Sequence, residues 1–131
     1  MKSIVLDTNA YSNLMVGSES VMNAMAESDT VYMSIFVLGE LYAGFKGGCK
    51  EKQNHTILDN LLRKPSVKIL NATRETAEIF AEIKNTLRNN GTPIPINDIW
   101  IAAHTIESGS VLVTFDGHFN AICGLRTCKW Q

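Results

Sequence analysis

The chain has 131 residues, 45% of them hydrophobic and 19% charged, with a formal net charge of -1; this excludes a disordered or fibrous protein and leaves room for one sizeable core. The near-neutral balance also excludes the broad positive field of many nucleic-acid binders, so any polynucleotide must be held by a local patch. No apolar run approaches the roughly 20 residues that span a bilayer, and Asp7 arrives too early for a signal peptide, so the expectation is a cytoplasmic protein without membrane association.

Ile4-Val5-Leu6 is a short β-branched, apolar run that predicts a first strand. It ends in Asp7-Thr8-Asn9, residue types that leave a strand and cap a helix, and a helix is expected from about Ala10. Val21, Met22, Met25 and Ala26 recur at helical spacing, and Val31-Tyr32-Met33 reads as a buried strand. Ser34 then has the character of an N-cap for a helix that carries Val37, Leu41, Gly44 and Phe45 on one face and stops at Lys46-Gly47-Gly48. Glu40 lies inside this helix, close to its apolar face.

A second helix over about residues 50–63, with Ile57, Leu58, Leu61 and Leu62 inward, forms a hairpin with the first and stops before Pro65, ahead of a strand at Val67-Lys68-Ile69-Leu70. Thr73 precedes a long helix whose inward residues are Ile79, Phe80, Ile83 and Leu87, and Asn89-Asn90-Gly91-Thr92-Pro93 is the clearest break in the chain. A helix over about residues 97–107 follows, with Ile99, Ala102, Ala103 and Ile106 inward and Asp98 in its first turn. Gly109 ends it before the strand Val111-Leu112-Val113-Thr114. Short apolar strands alternating with helices predict an α/β fold with a mainly parallel sheet. Cys49, Cys123 and Cys128 are odd in number and lack CxxC spacing, which indicates neither a disulfide framework nor a zinc site.

In an open parallel sheet, chemistry collects beyond the carboxyl ends of the strands. Asp7 and Asp116 both follow apolar strands there, and Glu40 and Asp98 sit in helices reached from the same edge. Several ionised carboxylates brought together out of water repel one another and lose hydration, and a shared divalent cation relieves both costs. Oxygen ligands suit Mg²⁺ or Mn²⁺ rather than zinc, and the chemistry such an ion serves is phosphodiester hydrolysis. Singly, each acid has a plainer role. Asp7 can cap a helix, Glu40 can be solvated, Asp98 can stabilise the positive end of its helix by about 0.3–1 kcal/mol, and Asp116-Gly117 is a turn dipeptide.

These residues also carry a family resemblance. With Asp7-Thr8-Asn9 after the first strand, Glu40-Leu41 in a helix, Asn97-Asp98-Ile99-Trp100-Ile101-Ala102-Ala103, and Leu112-Val113-Thr114-Phe115-Asp116-Gly117-His118-Phe119, the chain resembles a PIN domain from about residue 4 to residue 122. Within that family it is similar to the VapC toxins of toxin–antitoxin pairs. The resemblance implies a single PIN domain over residues 1–131 with a three-layer sandwich around a five-stranded, mainly parallel sheet. It also implies endonucleolytic cleavage of RNA with Mg²⁺ or Mn²⁺, a homodimer, and a VapB-like antitoxin that blocks the site. By position, Asp7, Glu40, Asp98 and Asp116 form the acidic quartet that binds metal and catalyses, with Asp116 expected to act through water. Thr8, Asn9 and Thr114 are supporting polar residues that orient carboxylates or waters. Phe115 and His118 depart from the related toxins, in which a polar and a charged residue are frequent.

Other candidates have a plainer reading too. Lys46, Lys50 and Lys52 could meet an RNA backbone but read better as a solvated turn, and Arg88 near the glycine-containing break stands alone. Tyr11, Tyr42 and Phe45 could stack on bases, but at helical positions they fit core or dimer packing. His118 reads as incidental, His55 and His104 still more so. Competing functions are a haloacid-dehalogenase-like phosphatase, which needs an Asp where Asn9 stands, a receiver-like Mg²⁺-binding module, which lacks its early acidic pair and late Lys, and a housekeeping PIN nuclease of RNA processing or decay.

Overall fold

The computed structural model describes residues 3–128. Residues 1, 2 and 129–131, the ends of the expected single domain, lie outside the described residues. The strands are β1 (Ser3–Leu6), β2 (Thr30–Ser34), β3 (Val67–Leu70), β4 (Val111–Val113) and β5 (Thr127–Cys128), and the helices are α1 (Thr8–Met15), α2 (Glu19–Ala26), α3 (Ile35–Lys46), α4 (Glu51–Leu62), α5 (Arg74–Asn90) and α6 (Ile96–Glu107). A short 3₁₀ helix, Gly117–Ala121, follows β4.

The sheet runs in the order β3-β2-β1-β4-β5 with every pairing parallel. Consecutive residues Ile4, Val5 and Leu6 of the central strand are all fully buried. Because neighbouring strand residues point to opposite faces, both faces of the sheet must be covered, and this gives the expected three layers. The chain leaves β1 toward β2 and β3, then returns to β4 on the other side of β1. This reversal creates a crevice at the carboxyl ends of β1 and β4, where ligands of open α/β sheets bind.

The helices start and stop by local chemistry. Ser34 accepts a hydrogen bond from the Phe36 amide and caps α3, and Thr73 forms a reciprocal capping box with Thr76 at the start of α5. Gly91 closes α5 in the left-handed conformation at φ 68°, where a side chain would be strained. Three expectations shift in detail. The helix after β1 begins at Thr8 because Asp7 itself caps it, α6 begins at Ile96 behind Pro95, and Ile57 lies at the surface while Leu58 and Leu61 turn inward. The two-residue strand β5 was not legible as a strand. It pairs through backbone bonds from the Leu112 amide to the Arg126 carbonyl and from the Thr114 amide to the Cys128 carbonyl.

Candidate active site

The carboxyl end of β1 is the base of the site. Leu6 pairs with Val113, so the next residues, Asp7 and Thr114, stand side by side beyond the ladder. The Asp7 amide donates to the Val113 carbonyl at 3.3 Å. Its side chain is fixed from two sides: Oδ1 accepts from the Ala10 amide at 2.7 Å, and Oδ2 accepts from the Thr114 hydroxyl. Capping and site formation are therefore the same act. Thr114 is fully buried, and its Oγ1 also accepts from the Asp116 amide at 2.9 Å, so one hydroxyl sets two acids of the quartet.

The other acids converge on the same place. Glu40, in the second turn of α3 and half-buried beside Leu41, accepts from the Thr8 hydroxyl at 2.6 Å through Oε1. Asp98 comes from the first turn of α6. Asp7, Thr8, Asn9, Glu40, Asp98 and Asp116, with Pro95 and His118, line one cleft of about 270 Å³. All four predicted carboxylates meet there, and no Lys or Arg lines the cleft among the described residues.

Without cationic side chains, the electrostatics are those of crowded, poorly hydrated acids. Burial pushes the Asp7 carboxyl up from 3.8 to about 6 against the opposing hydrogen bonds from Thr114 and Ala10, and the charges of Asp98 and Asp116 raise it further. Burial also raises Asp98, opposed by its hydrogen bond with His118, while Asp116 and Glu40 add repulsion. Two neighbouring acids that burial drives toward the neutral form, Asp7 and Asp98, suit a hard, oxygen-seeking divalent cation.

His118 belongs to this site although its local sequence reads as incidental. Its Nδ1 lies 3.2 Å from Oδ2 of Asp98 and 3.2 Å from Oδ2 of Asp116. No sequence pattern ties His118 to Asp98; the sheet crossing does. Asn9 is exposed at the rim. The remaining candidates take plainer places. Tyr11 is buried in the core, Tyr42 stacks on His55 with ring centroids 4.7 Å apart, Phe45 meets Tyr42 edge-on, and Lys46 pairs with Glu51 at the surface. His104, buried in the core, bonds Ser34 at 2.8 Å and so joins α6 to the start of α3.

Comparison with known proteins agrees with this architecture. The PIN domain profile matches residues 4–125. The chain is 28% identical over 131 residues to Ribonuclease VapC1 of Haemophilus influenzae (strain R2866), covering 96% of each chain, and 30% identical over 93 residues to Ribonuclease VapC2 of Rickettsia felis, covering 71% of this chain and 68% of that protein. Among solved structures, the crystal structure of VapBC2 from Rickettsia felis bound to a DNA fragment from its promoter superposes with a TM-score of 0.87 at 27% identity, covering 98% of this chain and 99% of that one. By profile, sequence and superposed fold alike, the chain belongs to the PIN-domain family.

Proposed function

We propose that the chain is a divalent-metal-dependent endoribonuclease of the VapC type, the toxin of a toxin–antitoxin pair, built as a single domain and acting on RNA in the cytoplasm. The convergence of Asp7, Glu40, Asp98 and Asp116 on one cleft without a Lys or Arg in its lining carries the reading, and the ribonuclease relatives support it. The donor set fits Mg²⁺ or Mn²⁺, and the four carboxylates are the residues that would hold the ion. When bound, it supplies an activated water and neutralises the scissile phosphate.

The chain's own groups do the positioning. Thr114 and the Ala10 amide keep Asp7 in one orientation. The Thr8 hydroxyl holds Oε1 of Glu40 and so fixes this carboxylate in the cleft it shares with the other three acids. Asn9 and Thr8, on the rim, offer polar contacts to the RNA backbone. The partner is a VapB-like antitoxin, in keeping with the VapBC complexes of similar fold, and the toxin works as a homodimer. An apolar groove between α1, α2 and α4, with Met15, Met22 and Ile57 exposed, suits a partner helix better than solvent.

The deciding experiment is cleavage of a total-RNA pool by the purified protein with Mg²⁺ or Mn²⁺, beside EDTA and an Asp7→Asn control. Cleavage that EDTA abolishes and Asp7→Asn lowers by at least about a hundredfold is expected. Equal cutting by both proteins would overturn the reading.

A further inference from the structure

The turn after β4 introduces a nitrogen into a site otherwise made of oxygen. His118 Nδ1 lies 3.2 Å from one oxygen of Asp98 and 3.2 Å from one oxygen of Asp116, and the ligand atoms of the three residues all lie within 4.8 Å of one another. A single proton on Nδ1 points in one direction and cannot bond two carboxylate oxygens at full strength. Three ligand atoms at right angles around an ion with bonds of about 2.1 Å stand about 3.0 Å apart, close to the separations at His118.

The turn also prepares the carboxylate. The His118 amide donates to Oδ1 of Asp116 at 2.9 Å, which leaves Oδ2 facing the ring and Asp98. The side chains of Asp98 and Asp116 are 18% and 24% exposed and that of His118 is 51% exposed. The ring thus closes the outer side of the acidic pair while leaving room for water or a phosphate oxygen.

We propose that His118 is a direct metal ligand through Nδ1, completing with Asp98 and Asp116 a mixed nitrogen–oxygen site that prefers Mn²⁺ to Mg²⁺. The proposal rests on the metal-dependent reading above and adds a ligand and an ion class to it. Asp116, expected from sequence to act through water, shares the ion directly, and the neutral ring carries its proton on Nε2. An all-oxygen site suits Mg²⁺, whereas an imidazole raises affinity for first-row transition ions.

The test uses the intact chain, Mn²⁺ as the probe, and no RNA. Free Mn²⁺ is counted by electron paramagnetic resonance during titration, and spin-echo modulation of the bound ion reports coupled ¹⁴N. The expected result is nitrogen modulation in the wild type that disappears in His118→Ala and His118→Asp. Mn²⁺ affinity should fall about tenfold in His118→Ala while Mg²⁺ affinity, read by competition, changes by less than about threefold. His118→Asp should shift the preference toward Mg²⁺. If the variants fail to fold, ¹⁵N-histidine labelling of the unaltered chain must alter the modulation in the same way. Bound Mn²⁺ without imidazole coupling, or coupling that survives in His118→Ala, overturns the proposal and leaves the carboxylate site standing. Failure of the wild type to bind Mn²⁺ overturns the metal-dependent reading itself.

Discussion

Asp7 performs two tasks that pull its carboxyl in opposite directions. As a helix cap it accepts hydrogen bonds that favour the ionised form, and as a buried member of an acidic cluster it is driven toward the neutral form; burial wins, and its pKa rises to about 6. In the unfolded chain the same group titrates near 3.8. Between these values the folded state binds more protons than the unfolded one, so in the metal-free protein stability falls as pH rises from about 4 to about 6 and stays lower above that. At ~1.4 kcal/mol per pKa unit the loss is up to about 3 kcal/mol. Asp7→Asn should therefore raise the metal-free melting temperature at pH 8 by several degrees, with the gain fading toward pH 4, even as it removes metal binding. Identical melting of the two proteins at pH 8 in EDTA would refute this account. Asp7 and Asp116 were legible in sequence because each follows an apolar strand or its closing Thr, where an acid stands out; Thr114, expected as the last residue of its strand, lies just beyond β4 and was singled out only by the family resemblance. His118 was not, because its partner Asp98 lies 20 residues away in sequence and no local periodicity links them.

At the scale of elements, the site depends on how α3 and α6 are set against each other, since one carries Glu40 and the other Asp98. Ser34 and His104 make that joint. Ser34 caps α3 and meets Nδ1 of His104 at 2.8 Å in the core, while Phe36 stacks on Trp100 of α6 with centroids 4.9 Å apart. Burial lowers the His104 pKa, so the ring stays neutral and bonds Ser34 without a charge. Ser34→Ala removes a cap and leaves a buried nitrogen unpaired, which should cost about 2 kcal/mol in denaturant unfolding. It should also weaken Mn²⁺ binding by loosening Glu40 relative to Asp98. A loss of stability with unchanged Mn²⁺ affinity would show that the joint serves the fold alone. The helices and four of the strands were readable from periodicity and caps, and Ser34 as an N-cap was among them. The strand β5 was unreadable because Thr127 and Cys128 carry no pattern and owe their state to pairing with β4. Ile57 was misplaced because periodicity cannot rank it against its neighbour Leu58.

For the whole molecule, the small net charge of -1 conceals an uneven distribution, with four acids gathered in one cleft. An ion bound there stabilises the native state by mass action, about 2.7 kcal/mol at a hundredfold excess over its dissociation constant. Saturating Mn²⁺ should raise the melting temperature at pH 7.5, EDTA should reverse it, and Asp7→Asn should not respond. A matching rise with NaCl alone would mean general screening instead. The strand order has a further consequence for the lifetime of the site. Asp7 extends from the innermost strand, and its amide is tied to Val113; that hydrogen should exchange with deuterium only when the entire domain opens. The His118 amide, held by a single side-chain bond at the surface, should exchange through brief local openings. The centre is thus half permanent and half transient: its outer turn can be displaced while the chain remains folded, but its inner carboxylate is lost only when the protein unfolds as a unit.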